Sequence, residues 1–144
     1  MKLRLSLVTL GVADIARARA FYEALGLEAG GSSNENVVFF DMDGVILALY
    51  GREALADDAR VAAAGEGFAG VTLAWNLPSE TAVDAAFAAA LAAGASSVKP
   101  PEKVFWGGYS SYVRDLDGHL WEVAHNPFFP LDAKGVTRLP ETAA

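Results

Sequence analysis

The chain has 144 residues, 53% of them hydrophobic and 20% charged, with no cysteine and a formal net charge of -7. That length holds one domain with a real core, and the composition is that of a folded protein rather than a disordered one. The missing thiols exclude disulfides, thiolate metal sites and cysteine nucleophiles, and make a reducing cytoplasm the simplest setting. Lys and Arg are scattered rather than clustered, which argues against nucleic acid as a partner. No run nears the roughly 18 apolar residues of a membrane span, and Met1 to Ser6 lack the core of a signal peptide. A soluble cytoplasmic protein with no membrane partner is expected.

Val8-Thr9-Leu10-Gly11-Val12 is a β-branched run that ends before Asp14, a good helix N-cap. Ile15, Ala18, Phe21, Tyr22 and Leu25 then recur at helical spacing and Gly26 closes the element. Val37 to Phe40 and Val45 to Tyr50 are apolar runs joined by Asp41-Met42-Asp43-Gly44, the pattern of a β-hairpin. An acidic, alanine-rich linker follows, with a short helix expected near Glu53 to Ala63.

The same order then returns. Val71 to Trp75 predicts a strand, Ser79 a cap, and Val83, Ala86, Phe87, Ala90 and Leu91 the apolar face of a helix that ends at Gly94. A second hairpin runs from Tyr109 to Arg114, turns at Asp115-Leu116-Asp117-Gly118 and returns through His119 to Ala124. Val71 lies 63 residues after Val8, whereas Asp115 lies 74 after Asp41, so the second copy is longer by about eleven residues. Much of that excess is expected around Pro100 to Gly108. Two copies this small share one core, in a curved mixed sheet with helices on one side.

The segments "LGVADIARARAFYEALGL" and "GGYSSYVRDLDGHLWEVAHNP" make the chain resemble the vicinal oxygen chelate superfamily, which includes glyoxalase I, extradiol dioxygenases and bleomycin-binding resistance proteins. The resemblance covers about residues 3–127 and implies an α+β fold. Its two βαβββ repeats would form one curved sheet around a concave cavity, with the helices on the convex side. The implied organisation is a single domain, 1–144, with repeat one at about 3–50, a linker at about 51–68, repeat two at about 69–127 and a tail at 128–144.

Catalytic members of that superfamily hold a divalent metal through His or Gln on the first strand of each half and Glu on the last. The matched positions here are Leu7, Gly70, Leu47 and Glu122, so Glu122 alone is a ligand-type residue. A slip of one residue along either first strand brings in no His, Gln, Asp or Glu. His119 and His125 offer no rescue: strand alternation turns both away from Glu122, and the rise of a strand sets them about 20 Å apart. No metal and no other cofactor is expected, and a divalent metal would need non-standard ligands.

With Glu122 facing the cavity, symmetrical pairing about the second turn sets Ser111 opposite Glu122 and Tyr109 opposite Ala124. The same construction in the first hairpin sets Val38 opposite Leu47 and Phe40 opposite Val45. Leu7, Thr9, Phe40, Leu47, Thr72, Tyr109, Ser111 and Glu122 are therefore candidate ligand-binding residues, with Trp106 from the loop before them. Such an apolar lining with a few hydroxyls and one carboxylate suits a partly apolar small molecule.

Glu122 is the one candidate catalytic residue, as a general acid or base. The alternative, a relic of an ancestral ligand bonded to Tyr109 or Ser111 or open to solvent, is the reading the sequence favours. Trp106 is as readily a core plug as a stacking surface at the cavity mouth, and Tyr109 as readily structural as functional. The stretch Asn126-Pro127-Phe128-Phe129-Pro130 cannot be a regular strand. Three uses stay open for it: cover for the cavity, cover for a sheet edge, or a share in a homodimer, since many proteins of that superfamily pair. The expected function is metal-independent binding of a small molecule. The alternatives are a metal-dependent lyase or dioxygenase with non-standard ligands and a metal-free enzyme working through Glu122.

Overall fold

The computed structural model describes residues 1–140, so the end of the tail, 141–144, lies outside the described residues. The chain divides into two compact units, one spanning Met1–Gly70 and the other starting at Val71. Each is an α+β layer.

The first unit contains β1 (Leu7–Val12), α1 (Ile15–Ala24), β2 (Val37–Asp41), β3 (Ile46–Gly51) and α2 (Arg52–Ala59), with its sheet ordered β1-β3-β2. Asp14 caps α1 as its spacing predicts, its side chain accepting the Arg17 N–H at 3.0 Å. The helix then buries Ala18, Phe21 and Tyr22. β1 and β3 run parallel, Leu7 beside Ile46 and Val8 beside Leu47, whereas β2 is antiparallel to β3 with Phe40 opposite Leu47. One face of the sheet therefore carries Val8, Leu10, Val12, Val38, Phe40, Leu47 and Leu49. α1 packs on that face: the Tyr22 and Phe40 rings lie 6.2 Å apart, and Phe40 is 0% exposed.

The second unit contains β4 (Leu73–Asn76), α3 (Glu80–Ala93), β5 (Ser96–Lys103), β6 (Tyr109–Arg114) and β7 (Leu120–His125), in the sheet order β4-β7-β6-β5. Ser79 caps α3 by accepting the Ala82 N–H at 3.1 Å. The helix buries Val83, Ala86 and Ala90. The extra length expected around Pro100 to Gly108 falls partly in a strand, β5, and partly in the loop after it. The strand runs through Pro100 and Pro101 because it is an edge strand, and an edge tolerates a residue that cannot donate to the ladder. The register shifts on both sides of Lys99 mark the cost of those prolines. The first unit has only a single bridge, Ala29 to Phe40, in the corresponding place. Each unit thus carries one copy of the repeat, with a three-stranded sheet in the first and a four-stranded sheet in the second.

The two Asp-x-Asp-Gly hairpins differ in loop length. In the first, Met42 donates to the Val45 carbonyl at 2.9 Å, leaving Asp43 (φ 57°) and Gly44 (φ 125°) as a two-residue loop with both φ positive. In the second, Asp115 donates to the His119 carbonyl at 2.9 Å across a three-residue loop whose last residue, Gly118, has φ 86°. The buried Asp115 carboxylate accepts the N–H groups of Asp117 and His119, both at 2.9 Å.

A third loop of this second kind closes the tail. Asp132 donates to the Val136 carbonyl at 2.9 Å, and its carboxylate accepts from Lys134 and Val136 at 2.9 and 3.0 Å, with Gly135 at φ 83°. Arg138 adds an ion pair to the same carboxylate at 3.0 Å. The Val136 and Lys134 amides, with Arg138 beside them, hold the Asp132 carboxyl below the usual aspartate range. A depressed pKa in the folded state contributes stability above the unfolded value that is lost as pH falls through the folded one. An NMR titration is expected to give Asp132 a midpoint below that of an ordinary aspartate, with the Lys134 and Val136 amide shifts following it. Amides that move at the ordinary aspartate midpoint would show that the loop does not form.

Candidate functional site

The ladders of the second unit place residues in transverse rows. Lys99, Tyr112, Glu122 and Ala74 are neighbours on β5, β6, β7 and β4, and Glu102, Ser110, Ala124 and Asn76 form the row beside them. Paired residues share a face, so these eight lie on one side of the sheet. Tyr109, Ser111, Val113, Trp121, Val123 and His125 lie on the other. α3 packs on that other side, where the Tyr109 hydroxyl donates to Asp84 of the helix at 2.8 Å.

Glu122 therefore stands on the face away from α3, as expected, but with different neighbours. The three-residue loop moves the pairing by one position, bringing Tyr112 opposite Glu122 and Ser110 opposite Ala124. Ser110, not Ser111 or Tyr109, bonds to the carboxylate, its hydroxyl donating to Glu122 Oε2 at 2.8 Å. Burial raises the Tyr112 phenol pKa, and the negative charge of Glu122 raises it further against the opposing pull of Lys99. Lys99 is itself paired with Glu102 at 3.2 Å. Ala74, which is exposed, is the neighbour of Glu122 on the β4 side.

Two other candidates change face for the same reason. Ser111 is fully buried and donates to the Val123 carbonyl at 2.8 Å, a structural bond within the ladder. Tyr109 is committed to Asp84, whose hydrogen bond is the first cause of its raised pKa. Trp106 lies in the loop between β5 and β6 with its ring over Gly108, where a Cβ would come within 1.8 Å of it. That loop also rests against the tail, since a Cβ on Gly107 would meet the Phe128 ring at 3.2 Å. Thr72 is exposed one residue ahead of β4.

In the first unit, Phe40 and Leu47 belong to the core against α1 rather than to a binding surface, at 0% and 4% exposure. Parallel pairing sets Leu7 beside Ile46 and Thr9 beside Ala48, so Leu47 points away from Leu7. Leu7 and Thr9 do lie on the face opposite α1. Leu7 joins Leu5, Phe39 and Ile46 in lining an open cleft of about 1040 Å³, together with Lys2 and Arg4.

The donor set does not fit a metal centre of the superfamily's kind. Leu7 has Ile46 for its neighbour, and the residues around Glu122 offer hydroxyls, an amide and alanines rather than imidazole or further carboxylate. Among the described residues no three His, Asp or Glu side chains are grouped to share an ion. No helix among them is long and apolar enough to cross a membrane.

Ser110, Tyr112, Lys99, Ala74 and Asn76 escaped the sequence reading. The turn could not reveal the first two, because the same Asp-x-Asp-Gly pattern closes a two-residue loop at Gly44 and a three-residue loop at Gly118. The parallel neighbours Ala74 and Asn76 carried no local signal either.

A comparison with curated proteins gives no match. Among solved structures, a glyoxalase-related enzyme from Fulvimarina pelagi is 31% identical, covering 97% of this chain and 100% of its own, at a TM-score of 0.88. A glyoxalase/bleomycin resistance protein/dioxygenase from Nocardioides is 26% identical, with 87% of this chain and 84% of its own covered at a TM-score of 0.70. A lactoylglutathione lyase from Agrobacterium tumefaciens, 23% identical over 87% of this chain and 95% of its own at a TM-score of 0.64, shares the fold. The family model for the Glyoxalase/Bleomycin resistance protein/Dioxygenase superfamily matches residues 4–123, and with the repeated strand, helix and hairpin it shows that the chain belongs to that superfamily.

Proposed function

We propose that this protein binds a partly apolar small molecule on the face of the second sheet that carries Glu122, without a metal ion. The observation that supports this reading is the polar row itself: a half-buried carboxylate held in place by Ser110, beside Tyr112, on the side of the sheet that α3 leaves uncovered. A fixed carboxylate and a phenol orient a ligand, and Ala74 beside them leaves room for its apolar part.

The test is a thermal-shift screen of aromatic and aliphatic compounds in the presence of a chelator. A ligand at a hundred times its Kd adds about 2.7 kcal/mol, which for a chain of this size raises Tm by about 10 °C. Saturable shifts that persist in chelator and shrink in Glu122→Ala are the expected result. A panel that gives no shift, or shifts that require added metal, would overturn the proposal.

Ala74→Leu is expected to weaken the same ligands by about tenfold while leaving the melting temperature of the free protein nearly unchanged, because the new side chain fills exposed space. Titration calorimetry on both proteins reads the difference.

A further inference from the structure

We infer that the ligand carries a positive charge: the Glu122 face is built to receive a protonated amine or guanidine attached to an apolar body. The inference rests on the small-molecule reading above and specifies its chemistry.

Glu122 has one hydrogen-bond partner among the described residues, the Ser110 hydroxyl, which occupies Oε2 and leaves Oε1 without a partner there. It has no cation. The nearest one on its face, Lys99, stands one strand beyond Tyr112 and is drawn the other way, to Glu102 at 3.2 Å. Arg114, on the same side of the sheet, is two residues from Tyr112 along β6 and opposite Leu120 rather than Glu122. A half-buried carboxylate without a counter-charge is costly unless something supplies one, and a bound cation does so with a charge-assisted hydrogen bond.

The neighbours suit that occupant better than an anion or a neutral body. Tyr112, directly across the ladder, presents a ring whose face attracts cations. Asn76 lies diagonally across β4 and β7, and its amide oxygen offers a further acceptor to an N–H donor. Ala74 leaves the flank of Glu122 open to a group the size of an ammonium. The whole chain, at -7, draws cations toward it and repels anions.

The experiment compares three probes of one shape by titration calorimetry on the full chain: phenethylammonium, phenethyl alcohol and hydrocinnamate. Phenethylammonium is expected to bind at least about tenfold more tightly than the alcohol, the weight of a hydrogen bond to a charged group. Glu122→Gln should remove that advantage, bringing the ammonium's affinity to that of the alcohol, since glutamine keeps the shape and still accepts from Ser110 but carries no charge. Added salt should weaken the ammonium and not the alcohol.

Equal affinity for ammonium and alcohol, or a preference for hydrocinnamate, would overturn the cation while leaving small-molecule binding intact. Binding of none of the three, with no hit from the wider screen, would overturn both. Retention of the ammonium's advantage in Glu122→Gln would place the cation elsewhere and also refute the assignment.

Discussion

Phe40→Ala is expected to cost about 3–5 kcal/mol, the usual loss for a large aromatic removed from a closed core. Phe40 has no exposed surface, stands opposite Leu47 on β3 and meets Tyr22 of α1 at 6.2 Å between ring centres. Deleting its ring leaves a hole at the point where helix and sheet are pinned together, and neither element can move in without breaking the Phe40–Leu47 ladder. Denaturant unfolding followed by circular dichroism reads the effect. Phe105→Ala supplies the contrast: that ring is wholly exposed and its loss should stay within about 0.5 kcal/mol. Similar losses in the two variants would mean that the β2 face is not the core.

The second large effect is expected at Asp115. Its carboxylate is 5% exposed and accepts two backbone N–H groups at 2.9 Å. Asp115→Ala leaves both donors without their acceptor in a place water reaches poorly, a loss of about 2–4 kcal/mol from two such groups. Asp115→Asn keeps one acceptor oxygen and should recover most of it. The matching residue of the first hairpin, Asp41, is exposed and accepts only the Asp43 N–H. Asp41→Ala should therefore cost less than half as much. If the two alanine variants unfold at the same denaturant concentration, the buried loop does not have the role assigned to it here.

Asp14, Ser79, most of the helix faces behind them and the positions of the two turns were legible in the sequence because each is a local pattern read within one turn of helix or one hairpin, although Leu91, placed on the apolar face of α3, is exposed. β5 was not legible, because a Pro-Pro pair argues against a strand and only its position at the sheet edge reverses that argument. The Glu122 face was half legible. Alternation correctly separated Glu122 from His119 and His125, since parity along a single strand is fixed by covalent geometry.

The partners of Glu122 depended instead on how many residues the turn consumes, and Leu47 on how β1 aligns with a strand more than thirty residues away. Local pattern does not encode that second quantity. The alignment is set by which faces bury best, a property of the assembled sheet. Thus Phe40 and Leu47 were assigned to the surface that the ligand would touch, although their chemistry, wholly apolar, already suited the core.

The three-residue loop closed by Gly118 acts as a parity bit for everything downstream of it. Removing one residue there would turn Leu120, Glu122 and Ala124 toward α3 and bring Trp121 and Val123 out, without changing a single side chain in β7. Loop length therefore decides which face Glu122 occupies, whatever the side chains of β7 are. The same three-residue span recurs in the tail between Asp132 and Val136, whereas the first hairpin turns in two, so the chain sets strand facing by loop length separately at each turn.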